Sequence, residues 1–417
     1  MGKILRSTDY ASLQAAIDAA GVFDTVLVPS GTHECSGIRL KSNLILRLEA
    51  GAVLMAPRDI TGFLPAEMMH RESTLDHCFF GGFGIENLVI EGEGIFECCG
   101  DAFWSDYDGA PSPADTLLGR KVYRSMASRP TAMLFINCRN LRLNGFTIRN
   151  AAAYTIWAIG CESVRMENLT IRNHRLGPNT DGLDIDCSRD VWISGCDINA
   201  GDDCIALKSD LAILGRDQAC ERIHISHCTL SSPCCAVRIG YEGDGAIRDV
   251  LVSDNLIHDS NKGFDLISVL PAQKRFGICH GAKIENIIFK GAVMRNVRQA
   301  LAAWSGSDLP EDADNYHGSI KNLFFSDLQI DAFDSSFLGG LAVSEIALSN
   351  IRMHVRRNRA RYRGEVPVVM PNVWGRGFLP QPLTFYRVDN PLLSDVRISM
   401  EEYDEGGAGL NLDNMDP

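Results

Sequence analysis

Apolar residues in this chain recur in a short phrase and follow no helical period. A polar residue is followed by apolar–x–apolar, a turn of two or three residues, and a second apolar pair. The phrase reads LILRLEAGAVL after Asn43, LVIEGEGIF after Asn87, LRLNGFTIRN after Asn140, VRMENLTIRN after Ser163 and VWISGCDINA after Asp190. It returns after Arg222, Asp249, Asn286, Asn322 and Glu345, with a last VRISM after Asp395. From Leu141 the first apolar position falls at 141, 164, 191, 223, 250, 287, 323 and 346. Alternation within each phrase marks strands that bury one face. Strands that return after twenty-odd residues, with no helix-length pattern between them, predict an all-β chain wound as a right-handed parallel β-helix.

Residues 9–21 (DYASLQAAIDAAG) break the rule with a helical stripe of Leu13, Ala16, Ile17 and Ala20. Asp9 or Ser12 is placed to cap its start and Gly21 to end it. A helix there closes the first coil, whose core would otherwise face water. The reading is one domain over 1–417, with 1–35 as its N-terminal cap. Residues 101–130 and 355–392 are long insertions, with shorter ones at 210–220 and 306–318. Insertions on a solenoid gather on one face, often the binding face. The first carries Trp104, Tyr107, Tyr123 and Arg129, and the second Trp374 and Arg376. The arginine-rich run at 356–363 reads as a solvated surface or a subunit contact.

A hydrophobic share of 45% and a charged share of 22% supply ample core. The formal charge of −13 argues against nucleic acid or an anionic membrane as a partner. No apolar run reaches the ~20 residues that a membrane span needs. The N-terminus lacks a secretory signal pattern, so a native start at Met1 predicts a cytoplasmic protein, and a longer precursor a periplasmic or secreted one. The fourteen cysteines, several of them near strand ends, read as buried free thiols; the pairs Cys98-Cys99 and Cys234-Cys235 do not match a zinc spacing.

The chemistry concentrates between Asn179 and Ser209. Asp181 follows Asn179-Thr180, and Asp202 and Asp203 follow Gly201. Each group sits at a polar break beside an alternating strand: Leu183–Ile185, Val191–Ile193 or Ile205–Leu207. The spacing is about one coil, which stacks the two acidic sites on neighbouring turns, with backbones roughly 4.8 Å apart. Crowded carboxylates raise one another's pKa, and a protonated acid beside an ionised base is what glycoside hydrolysis requires. Asp184 and Asp186 read as outward-facing or turn residues. The sequence shows neither a nucleotide-binding glycine motif in context nor a convincing metal-ligand pair, so no cofactor and no metal are expected.

With NTDG at 179–182 and GDDCIALKS at 201–209, in a frame running from GIRLKSNLILRLEAGAVL to about residue 300, the chain resembles glycoside hydrolase family 28, the polygalacturonase-like pectinases. The resemblance implies an inverting hydrolase in which Asp202 is the general acid, while Asp181 and Asp203 position and deprotonate the attacking water. Two departures stand out. Where the family's pectinases carry Gly-His-Gly, this chain reads SSPCCAVRIGYEGDG, with Cys234 at the histidine's place. Where they carry Arg-Ile-Lys, which grips a uronate carboxylate, it reads NKGFDLISV, with Asp265 and Ile267 in place of the cations.

A carboxylate at Asp265 would repel galacturonate and suit the hydroxyls of a neutral sugar. Arg238 and Lys262 are the candidate replacement cations. Lys208, Asn179, Cys234, Tyr241 and Trp104 complete the expected substrate contacts, with Glu242 and Asp244 as weaker ones. The expectation is a hydrolase of pectin-related or other plant or microbial oligosaccharides, not of ordinary polygalacturonan. The alternatives are a polysaccharide lyase, with Arg238 or Lys208 as base, and a non-catalytic carbohydrate-binding β-helix.

Overall fold

The computed structural model describes residues 2–66, 75–106, 123–126, 128–272, 277–359 and 379–403. The expected parallel β-helix is present. Each coil contributes a strand to three parallel ladders, taken in the repeating order C, A, B. Ladder A holds the predicted phrases, for example Arg139–Asn144, Glu162–Glu167, Arg189–Ser194 and Cys220–Ser226. Ladder B holds the second apolar pair of each phrase, as in Thr147–Arg149, Thr170–Arg172, Asp197–Asn199 and Thr229–Ser231. Ladder C holds Pro130–Ile136, Ile156–Ile159, Leu183–Asp186, Ile205–Ser209 and Cys235–Gly243.

In-register stacking makes the core a set of columns. Val164, Val191, Ile223, Val250 and Ile287 lie one above another, all 2% exposed or less. The polar residue that opens each phrase adopts the left-handed conformation, from Asn43 (φ 57°) and Asn87 (57°) to Asn322 (56°) and Asp395 (50°). Asn tolerates that region better than most residues, and here neighbouring coils add a side-chain ladder. Asn140 donates to Asn87 at 2.7 Å and Asn87 to Asn43 at 2.8 Å.

The cap helix spans Leu13–Ala19, with Ser12 Oγ accepting from the Ala15 amide at 3.1 Å. All fourteen cysteines are free; twelve are buried, Cys35 is half-buried and Cys279 is exposed. Of the insertions, the first contributes an antiparallel pair, Trp104–Asp106 with Tyr123–Ser125. Tyr107, Trp374 and Arg376 lie outside the described residues. Of the run at 356–363 the described residues end at Arg359, and there Arg357 corrects the expectation of a solvated surface. Arg356 pairs with Asp331 at 3.0 Å, and Arg357 is fully buried, donating to the Leu379 carbonyl at 2.7 Å. Among the described residues no helix is long and apolar enough to cross a membrane.

Candidate active site

The turns from ladder B to ladder C carry the predicted acids. Asp181 lies between Thr170–Arg172 and Leu183–Asp186, and Asp202 and Asp203 between Asp197–Asn199 and Ile205–Ser209. Leu183 pairs with Ile205, so these turns belong to adjacent coils. The main chain at each acid is tied to a neighbouring coil. Thr155 donates its amide and hydroxyl to the Asp181 carbonyl at 2.9 and 2.7 Å. The Asp203 carbonyl accepts from Gly182 N at 2.8 Å, and the Asp202 carbonyl from Ser232 Oγ. The glycines of the two motifs have a steric cause. A Cβ on Gly201 would lie 2.3 Å from Thr180 Oγ1 and 2.4 Å from the His174 carbonyl, and one on Gly182 would lie 2.4 Å from the Cys204 carbonyl.

The three carboxylates sit in different surroundings. Asp181 is 4% exposed and its buried Oδ1 has no hydrogen-bond partner. Burial pushes its pKa well above the carboxylate range, and the charges of Asp184 and Asp202 add to the shift. Asp203 is buried and held by Arg238 through two bonds, Nε–Oδ2 at 2.8 Å and Nη2–Oδ1 at 3.1 Å. Asp202 is half-buried, and its Oδ2 accepts from Asn179 Nδ2 at 3.5 Å.

The cations expected to meet substrate are engaged with carboxylates. Arg238 Nη1 also reaches Asp265 Oδ2 at 2.5 Å, and Nη2 lies 3.2 Å from Cys234 Sγ. Lys262 does not extend into the cleft; its ammonium ends on the same Asp265 oxygen at 2.9 Å. Asp265, 2% exposed, is therefore neutralised from two sides, and the repulsion expected of it is largely cancelled. Lys208 is buried between Asp184 Oδ1 at 2.9 Å and Glu242 Oε2 at 3.0 Å, with its ammonium 4.0 Å from the Tyr154 ring centre. These two acids hold the lysine pKa well above its usual value, against the opposing effect of burial.

Other expectations need correction. Asp184 and Asp186 do point to the outer side of ladder C, but both are fully buried there, and burial raises each pKa to about 7. Tyr241 packs against the apolar cluster of Ile267, Val269, Trp304, Phe337 and Leu379. A register irregularity between Leu207 and Ser209, opposite Ile239 and Gly243, takes it out of simple alternation at φ 76°. Asp244 accepts the amides of Cys279, His280 and Gly281 at 2.6, 2.9 and 2.8 Å, which organises a loop.

Trp104 is half-buried. It lines a cleft of about 870 Å³ with His174, Asn150, Arg149 and Arg58, and its indole donates to the Ala152 carbonyl at 2.8 Å. The cleft follows the B-to-C turns from His174, on the coil of Asp181, toward the N-terminus, and its lining does not include the three acids. Two arginines near the acids were not singled out from sequence as site residues. Arg175 donates to Asn199 Oδ1, Ser231 Oγ and the Asp259 carbonyl at 3.2, 2.8 and 2.8 Å. Arg129 donates to the Pro178 carbonyl at 2.5 Å and to Asn179 Oδ1 at 3.1 Å. Their signal was weak, because each lies in a loop outside the repeat.

Among the described residues, one group places oxygen and sulfur atoms closely enough to hold a metal ion. It comprises Asp202, Asp203 and Cys234, with ligand atoms within 4.8 Å of one another. Arg238 already places a guanidinium against two of the three.

The sequence profile described as Glycosyl hydrolases family 28 matches residues 22–301. A probable polygalacturonase of Vitis vinifera is 24% identical over 377 residues, 85% of this chain and 71% of that one. A family 28 exopolygalacturonase of Yersinia enterocolitica superposes with a TM-score of 0.69 at 16% identity, covering 97% of this chain and 78% of that one. A hyperthermoactive exopolygalacturonase from Thermotoga maritima gives 0.68 at 19%, covering 94% and 92%. At these identities the structural likeness is one of fold.

Proposed function

Since the chain belongs to glycosyl hydrolases family 28 and is a glycoside hydrolase, we propose that Asp202, Asp181 and Asp203 cleave a pectin-related oligosaccharide with inversion, and that the sugar at the scissile position is neutral or unusual rather than galacturonate. The observation that carries the assignment is the division of environments among three adjacent acids: one buried, one ion-paired, one half-buried. Carboxyls whose surroundings push their proton affinities apart are what separate acid from base.

Burial, with the charges of Asp184 and Asp202 added to it, places the resting proton on Asp181. That proton passes to Asp202, which gives it to the leaving glycosidic oxygen. Asp181, now ionised, accepts a proton from the attacking water, whose oxygen bonds to the anomeric carbon as the glycosidic bond breaks. Asp203, its charge balanced by Arg238, orients that water. Oxygens of Asp202 and Asp203 lie within 4.8 Å, closer than the roughly 6.5–9.5 Å that leaves a water between acid and base. We take Asp181 as the base paired with Asp202, and inversion itself rests on family membership.

The substrate reading rests on the cations. Arg238, Lys262 and Lys208 are each committed to carboxylates, so none of the three offers its charge to a uronate. The same pairing weighs against a lyase, because a lysine or arginine held between two acids keeps its proton and is a poor base. A panel of galacturonan, rhamnogalacturonan, galactan, arabinan and glucans tests all three readings. New reducing ends without an ultraviolet-absorbing unsaturated product, fastest on a substrate other than galacturonan, fit the proposal. Unsaturated products indicate the lyase, fastest release from galacturonan overturns the substrate assignment, and binding without turnover indicates the carbohydrate-binding alternative.

A further inference from the structure

Arg129 is 5% exposed, and its contacts run directly into the acid pair. Nη1 donates to the Pro178 carbonyl at 2.5 Å and to the Ala152 carbonyl at 3.4 Å, the latter shared with the Trp104 indole. Nη2 donates to Asn179 Oδ1 at 3.1 Å, and Asn179 Nδ2 faces Asp202 Oδ2 at 3.5 Å. Asn179 itself stands in the left-handed conformation at φ 54°, which fixes where its side chain leaves the backbone.

A guanidinium has only donors. Its bond to Asn179 therefore decides which end of that amide is oxygen, and the NH₂ must then point at Asp202. An amide N–H can donate to a carboxyl oxygen but cannot accept from one. When Asp202 carries a proton, Oδ1 is its favoured seat, because Oδ2 then remains the stronger acceptor for the Asn179 N–H. We propose that Arg129 is a positioning residue that, through Asn179, sets which oxygen of Asp202 bears the transferable proton. This rests on Asp202 being the general acid.

The test uses the full chain on the oligosaccharide that the wild type turns over. Arg129→Met removes every donor at similar length, and Arg129→Lys keeps one donor for the Asn179 oxygen. Misplacement of a reacting group by about 1 Å costs on the order of 10²-fold in rate. Arg129→Met is expected to lower kcat by about that factor with KM little changed, Arg129→Lys to recover part of it, and Asn179→Ala to match Arg129→Met. Because the two residues act in series, the double variant falls no further than either single one. A thermal melt identifies any variant that fails to fold, and Arg129→Lys then carries the comparison with Asn179→Ala.

Asp202→Asn in the same assay separates the two claims. If it is inactive while Arg129→Met and Arg129→Lys turn over normally, or while the losses at 129 and 179 multiply, the relay is overturned and the hydrolase assignment stands. If Asp202→Asn is fully active, the acid assignment fails and the relay fails with it.

Discussion

Arg238 holds both oxygens of Asp203, at 2.8 and 3.1 Å, while its remaining nitrogen reaches Asp265 at 2.5 Å. One buried guanidinium thus balances two carboxylates on the coils either side of its own, and one of them is a proposed water-orienting residue. Removing one partner of a buried ion pair leaves an uncompensated charge, which costs about 3–5 kcal/mol. Arg238→Met is expected to destabilise the fold by that order. Lys262→Met should cost clearly less, because Asp265 keeps Arg238. Denaturant unfolding of the two variants checks the order; equal losses would contradict the network as described.

Asp186 gives a pH dependence with a definite sign. Its folded-state pKa is raised to about 7 by burial, from an ordinary value of 3.8. A raised carboxyl contributes stability that is fully present below the unfolded value and is lost as pH climbs through the folded one. Its amide donor, Asp210 N at 2.8 Å, needs only an acceptor, which asparagine supplies. Asp186→Asn should be neutral near pH 4, stabilising by a few kcal/mol at pH 8, and flatter between them. Melting curves at both pH values measure this, and a variant less stable than wild type at pH 8 would refute it.

The left-handed ladder makes a third prediction. Ser163 occupies the same position as Asn140 and Asn87, at φ 60°, but serine tolerates that region less well than asparagine. Ser163→Asn should stabilise by about 0.5–1 kcal/mol, while Asn87→Ala should cost about 1–2 kcal/mol through strain and two lost bonds. A shift in urea midpoint of the opposite sign at either position would count against the account.

These particulars show where sequence reasoning reaches. Among the described residues the repeating phrase located the ladder A strands from Leu44–Leu48 onward, because in-register stacking forces apolar positions to coincide, and the column Val164, Val191, Ile223 records that directly. It missed Thr25–Val28, which stacks on Leu44–Leu48. The acids were readable because two motifs one coil apart must stack. The fate of Arg238 and Lys208 was not readable, since they find their partners across coils, on strands that sequence spacing does not align to the residue, whereas Lys262 turns to Asp265 three residues on in its own strand. Asp184 shows a second limit: alternation gives the side of the sheet, but the layer covering that side comes from elsewhere in the chain. Tyr241 shows a third, because one irregular register undoes the alternation locally.

The central claim is that Asp202 is the acid of a hydrolase, and reducing-end release by wild type and Asp202→Asn tests it most directly. General acid catalysis contributes about 10²–10⁴-fold. Asparagine keeps the size and the contact with Asn179 but has no proton to transfer. The account predicts that release falls by at least about 10²-fold while the variant melts normally; turnover unchanged in a folded Asp202→Asn protein would contradict it.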